Sequence, residues 1–192
     1  DGGTLAGETL GGDRSRVYLA GQSMGGHGAW MYASQQPRLF AALVVVCGYM
    51  HGPREEKAVA ERLSHSRLPV AVYHSADDVV IPVAASEQAV DALRQQGYEG
   101  GAPHGGYPGA VTGTVAARPP TPLRFVRYAH APGPPMPEFA HLLGHGSYEL
   151  AFRDDGLYAW LLTHNCHRCS AKPPAAWNAL SGPAHAEGDE LR

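Results

Sequence analysis

One serine stands between two glycines in Gly21-Gln22-Ser23-Met24-Gly25, where a run able to form a strand, Val17-Tyr18-Leu19-Ala20, meets a run able to form a helix. A serine hydroxyl attacks a carbonyl efficiently only when a base takes its proton, and an imidazole base works best when an acid holds its ring. Both partners follow in the chain. Asp77 and Asp78 lie in HSADDVVIPV directly after the apolar run PVAVY, and His141 and His145 lie in EFAHLLGHGSYEL. Residues of these types in the order Ser, Asp, His suit acyl transfer through a serine nucleophile. Three fixed residues in G-x-S-x-G match easily by accident, so the pattern gains its weight from context.

That context is a strand before the serine and a helix after it. A sharp strand-to-helix turn crowds Cβ atoms, and the glycines Gly21, Gly25 and Gly26 suit it. Ser23 would then sit at an exposed apex. The amide N–H of Met24, at the new helix's N-terminus, would point at the oxygen that becomes negative during attack, as one donor of an oxyanion hole. Asp77 and Asp78 follow a strand and so fall at its carboxyl end, where an open α/β sheet gathers functional groups. On their own the residues leave both acids open, one to orient an imidazole and the other to cap the turn. His141 competes with His145 for the base in the same way.

The elements that must position these groups alternate in type. Apolar runs at 16–20, 41–47, 69–74 and 123–128 predict strands, and helical periodicity predicts helices over 24–36, 54–63, 83–96 and 149–163. Short strands alternating with helices predict an α/β fold with a mainly parallel sheet flanked by helices. Residues 97–137 hold 17 Gly or Pro in 41 positions, a composition that predicts loop around the strand at 123–128. The polar tail 170–192, rich in small residues, predicts disorder.

Three separated segments carry a family resemblance. RVYLAGQSMGGHGAW resembles the nucleophile elbow of esterase-like α/β-hydrolases, the group with dienelactone-hydrolase-like, phospholipase/carboxylesterase-like and predicted-peptidase members. LPVAVYHSADDVVIPVAASEQAVDAL is similar to their acid segment, with His74, Asp78 and Pro82 in register, and GHGSYELAFRDDGLYAWLL to their histidine segment. The resemblance implies an α/β-hydrolase fold with Ser23 as nucleophile, Asp78 as acid, His145 as base and Met24 in the oxyanion hole. It implies a serine hydrolase of carboxylic esters or thioesters, with a peptidase of the same fold or a truncated non-catalytic remnant as the alternatives. Departures from the pattern are Ser75 in place of glycine after His74, and long Gly/Pro-rich loops at about 97–122 and 131–144. The family also has several strands before the elbow. Only DGGTLAGETLGGD and a few more residues precede it here, so residues 1–169 are expected to form a partial domain lacking the N-terminal strands and the second oxyanion donor, a fragment of a longer protein.

With 192 residues the chain suffices for one domain with a real core. A net charge of −3 carries none of the basic footprint of a nucleic-acid binder. The expected partner is a small-molecule ester or acyl substrate, with no nucleic acid, no membrane span, no cofactor and no metal; oligomeric state and compartment stay open, and no targeting signal is legible. THNCHRC at 163–169 offers one C-x-x-C pair but no second at finger spacing, which argues against zinc. Cys47, at the end of an apolar run, reads as buried packing, His27 as packing or surface, and His74 as a turn-holding hydrogen-bonder.

Overall fold

The computed structural model describes residues 12–100, 120–166 and 169. In these residues Tyr18–Gln22 (β1), Ala42–Val46 (β2), Val70–Ser75 (β3), Tyr98–Glu99 (β4) and Thr121–Tyr128 (β5) form one sheet in the order β1-β2-β3-β5-β4, every neighbouring pair parallel. The helices are Ser23–Gln35 (α1), Pro53–Ser66 (α2), Ala84–Gln95 (α3), Ser147–Ala151 (α4) and Asp155–Leu162 (α5). This is the parallel α/β architecture that the alternation of elements predicts.

Helices on both faces explain why β2 reads ALVVV without polar interruption. Leu43 and Val45 pack with Trp30, Val59, Leu63, Val90 and Leu93 of α1, α2 and α3. Ala42, Val44 and Val46 point the other way, into a second cluster with Ala151, Leu157 and Leu161 of α4 and α5. Each fully buried aliphatic side chain contributes about 1.5–3 kcal/mol, so the central strand is fixed from both sides. Because β1, β2 and β3 step across the sheet in one direction, the helices joining them share one face, as right-handed crossovers require.

Two elements differ from the sequence reading. The helix expected over 149–163 is interrupted: α4 stops at Ala151, and α5 begins after Asp154, whose carboxylate accepts from the Gly156 amide at 2.8 Å. Arg124 on β5 holds that carboxylate at 2.7 Å and also donates to the Gly156 carbonyl at 3.0 Å. A long-range ion pair thus fixes a new helix start where periodicity alone shows a continuous helix. The Gly/Pro-rich stretch also holds β4, anchored by buried Tyr98, whose hydroxyl donates to the Leu68 carbonyl. The expected insertion at 131–144 forms turns whose ends meet: Gly144 donates to the Ala131 carbonyl and Gly146 to the Pro132 carbonyl. Residues 101–119 and the tail 170–192 lie outside the described residues.

β1 is an edge strand among the described residues, and its start is tied to the end of the last helix. The Cys166 amide donates to the Ser15 carbonyl at 2.7 Å, the Tyr18 hydroxyl to the His164 carbonyl at 3.1 Å, and a disulfide joins Cys166 to Cys169. No described helix is long and apolar enough to cross a membrane.

Candidate active site

Ser23 opens α1 directly after β1, with φ of +51°. A side-chain-bearing residue in this region is strained, and such strain persists where the surrounding structure enforces it. Here the enforcement comes from Gly21: a Cβ there would lie 2.1 Å from the Gly25 carbonyl oxygen, so β1 and α1 can approach this closely only at a glycine. Gly25, expected to be crowded in the same way, has open space around its Cβ position. Gly26 is crowded by the chain leaving β2, its Cβ position 2.8 Å from the Gly48 Cα.

The acid loop leaves β3 two places along the sheet. Asp78 is fully buried at its side chain and accepts from the amides of Val80 at 2.8 Å and Ile81 at 2.9 Å. Behind it lies His74, with Nε2 3.3 Å from Asp78 Oδ2 and 2.9 Å from the Ile81 carbonyl, and Nδ1 2.7 Å from Ser86 Oγ. The carbonyl requires a hydrogen on His74 Nε2, so in the neutral ring Nδ1 accepts from Ser86. Burial pushes the Asp78 carboxyl upward, but hydrogen bonds from His74, Ile81, His145 and Val80 outweigh it and hold the group down at about 2. Asp78 is therefore a carboxylate at neutral pH.

His145 reaches Asp78 from the loop after β5. Its predecessor Gly144 has φ of +78°, and a Cβ there would fall 2.3 Å from the Asp78 amide nitrogen. The two loops are pressed together at that glycine, and the Val79 amide donates to the Leu143 carbonyl beside it. His145 Nδ1 stands 3.0 and 3.2 Å from the two Asp78 oxygens, and Nε2 stands 2.9 Å from Ser23 Oγ. With an ionised Asp78, Nδ1 carries the hydrogen and donates it, which leaves the Nε2 lone pair facing the serine hydroxyl. The His145 side chain is 12% exposed while that of Asp78 has no exposure, so the imidazole lines the mouth and the acid lies below.

Met24 sits in the first turn of α1, and Gln22, the residue before that helix, gives its N-terminus no side-chain hydrogen bond. The structure thus brings Ser23, Asp78, His145 and the Met24 amide to the carboxyl end of the sheet. It does not bring His141, which is exposed. Asp77 points elsewhere, accepting from Ser75 Oγ, His130 Nδ1 at 3.1 Å and the Ala131 amide at 3.2 Å. Its role is to brace the chain leaving β5, rather than to cap the turn before α3. His27 stacks on Tyr49, ring centroids 5.0 Å apart, as packing beside the site.

Cys47, which the sequence reads as packing, is a neighbour of the site. Gln22 and Val46 are paired in the β1–β2 register, so Cys47 follows β2 as Ser23 follows β1. Cys47 is fully buried with φ of +40°, and its sulfur lies 3.7 Å from the His145 carbonyl oxygen. Burial pushes its thiol up to about 11. The usable signal in the sequence is its place at the carboxyl end of the strand after the nucleophile strand. Of the C-x-x-C stretch, Cys166 and Cys169 are paired with each other, which removes both thiols as metal ligands.

Comparison with known proteins fits this geometry. Residues 6–97 match a family model described as "Putative esterase", a stretch that holds Ser23 and Asp78 with His145 beyond it. A thermostable esterase of solved structure is 26% identical over 80% of this chain, with a TM-score of 0.54, and this chain covers 32% of it. A "Putative Dienelactone Hydrolase" from Klebsiella pneumoniae is 20% identical, with a TM-score of 0.50 and coverages of 81% and 55%; at that identity the likeness is one of fold. No curated protein matches the chain. The family match and these neighbours support an esterase-like α/β-hydrolase superfamily, and the chain spans between about a third and just over half of the length of these two solved relatives.

Proposed function

We propose that the protein is a serine hydrolase that cleaves carboxylic esters or thioesters through an acyl-enzyme, with Ser23 as nucleophile, His145 as general base and acid, and Asp78 as the acid that orients the imidazole. The observation that carries this reading is the continuous line of contacts from Asp78 through both His145 nitrogens to Ser23 Oγ. Ser23 Oγ bonds to the substrate carbonyl carbon while its proton passes to His145 Nε2. The buried Asp78 carboxylate stabilises the imidazolium so formed. Negative charge collects on the carbonyl oxygen, where the Met24 amide at the uncapped start of α1 donates to it.

Collapse of the tetrahedral species expels the alcohol or thiol, protonated by His145 Nε2. Water then enters, gives its proton to the same nitrogen, and attacks the acyl carbon to release the acid and restore Ser23. The esterase-family match and the esterase neighbour favour an ester over a peptide bond. The test is hydrolysis of short p-nitrophenyl esters followed in the pre-steady state. The wild-type chain should release about one equivalent of nitrophenol in a burst, and Ser23→Ala should lose at least about 10⁴-fold in kcat. Undiminished turnover by Ser23→Ala refutes the assignment.

A further inference from the structure

Three potential metal ligands of different chemistry converge beneath the serine. Ligand atoms of Cys47, Asp78 and His145 all lie within 4.8 Å of one another, and two of these residues are buried. Thiolate, imidazole and carboxylate together make a donor set that zinc and its heavier congener cadmium take readily. At tetrahedral angles, zinc bond lengths place ligand atoms about 3.5 Å apart, so no pair need close by more than roughly an ångström, and His145 Nδ1 and Asp78 Oδ2, at 3.0 Å, need not close at all. A buried hydroxyl adjoins the thiol. Ser147 is fully buried and its Oγ has no oxygen or nitrogen partner; that hydroxyl lies beside the Cys47 sulfur. A buried hydroxyl set against a thiol gives the pocket a polar wall that apolar packing does not need.

We propose that Cys47, Asp78 and His145 form a site for a thiophilic divalent cation, and that Zn²⁺ bound there switches the hydrolase off. This rests on the assignment of His145 as the base, and it names a mode of control for that site. Coordination releases one proton, from the Cys47 thiol to solvent; Asp78 enters as the carboxylate it already is. If the cation takes His145 Nδ1, the ring hydrogen must move to Nε2, which then donates to Ser23 Oγ and accepts no proton from it. If the cation takes Nε2, the lone pair that serves the serine is spent. Either way the base is lost while Ser23 stays in place. Mg²⁺, which prefers oxygen donors and octahedral geometry, leaves activity unchanged at the same concentration.

The direct readout is the ultraviolet thiolate-to-cadmium charge-transfer band, measured without reductant so that Cys166 and Cys169 remain paired. Titration of the full chain with Cd²⁺ should develop the band to one equivalent. Ser23→Ala should develop it equally, because the serine is no ligand, and this arm stands even if the hydrolase reading fails. Cys47→Ser, nearly isosteric, should show no band, and Zn²⁺ should inhibit its remaining ester hydrolysis only at concentrations more than about 10-fold higher than for wild type. Absence of the band in both the wild type and Ser23→Ala overturns the site. So does equal Zn²⁺ inhibition of wild type and Cys47→Ser, since the cation would then bind without the thiolate.

Discussion

His145 Nε2 lies 2.9 Å from Ser23 Oγ although 122 residues separate the two in sequence. The strands they follow, β5 and β1, do not touch, because β2 and β3 lie between them in the sheet. The contact is therefore made above the sheet, by a strained serine turned inward from one side and a long loop folded back from the other. Asp78, in the loop after β3 between them, holds the imidazole from the side away from the serine. Substitutions that leave the strands intact but shift either loop should affect chemistry before they affect folding.

The paired acids should separate cleanly. Asp78 touches the base, whereas Asp77 touches Ser75, His130 and Ala131. Asp78→Asn should lower kcat by about 10³- to 10⁴-fold by favouring the wrong ring tautomer. Asp77→Asn should lower it less than about 10-fold, since it loosens a brace that touches neither Ser23 nor His145. Steady-state kinetics on one ester decide this, and equal losses contradict the assignment of Asp78.

The two histidines of the 131–145 segment should behave differently. His145→Ala should abolish acylation. His141→Ala, at an exposed position, should change kcat/KM by no more than about twofold, as surface substitutions shift free energies by only about 0.5 kcal/mol. Single-turnover acylation measurements separate the two variants.

Gly144 and Gly25 give opposite expectations for the same substitution. Gly144→Ala forces a Cβ against the Asp78 backbone at a positive φ and should destabilise the protein by about 1–3 kcal/mol. Gly25→Ala finds open space inside a helix and should stabilise by about 0.5–1 kcal/mol. Urea unfolding of the two variants beside wild type checks both signs.

Much of this site was legible because its parts obey local rules. Ser23, Asp78 and His145 each announce themselves through a strand end, a turn and a glycine, and the family register selects Asp78 over Asp77. What periodicity cannot carry is contact across the sheet. The Arg124–Asp154 pair that splits α4 from α5 joins residues from separate elements, and the anchor of β4 is a tyrosine hydroxyl reaching Leu68. Cys47 reads as packing because its place at a strand's carboxyl end is legible, whereas the His145 carbonyl it faces lies 98 positions away. The real task of Asp77 depends in the same way on Ala131, 54 positions away.

Acid should weaken the fold through Asp78. Its carboxyl sits at about 2, against about 3.9 in an unfolded chain. A depressed carboxylate contributes stability that is fully present above the unfolded value and is lost as pH falls from about 4 toward 2. At about 1.4 kcal/mol per pH unit the contribution is about 2–3 kcal/mol. Unfolding free energies at pH 5, 4 and 3 should therefore fall more steeply for wild type than for Asp78→Asn. Parallel curves contradict the coupling of this carboxylate to its neighbours.

The central claim is that Ser23 is an activated nucleophile, and covalent labelling tests it most directly. A fluorophosphonate incubated with the chain at neutral pH should add one phosphonyl group, mapped by mass spectrometry to the peptide containing Ser23. Ser23→Ala should take up none, and His145→Ala should react far more slowly. Labelling that persists in Ser23→Ala, or that maps to another serine in the wild type, would contradict the account.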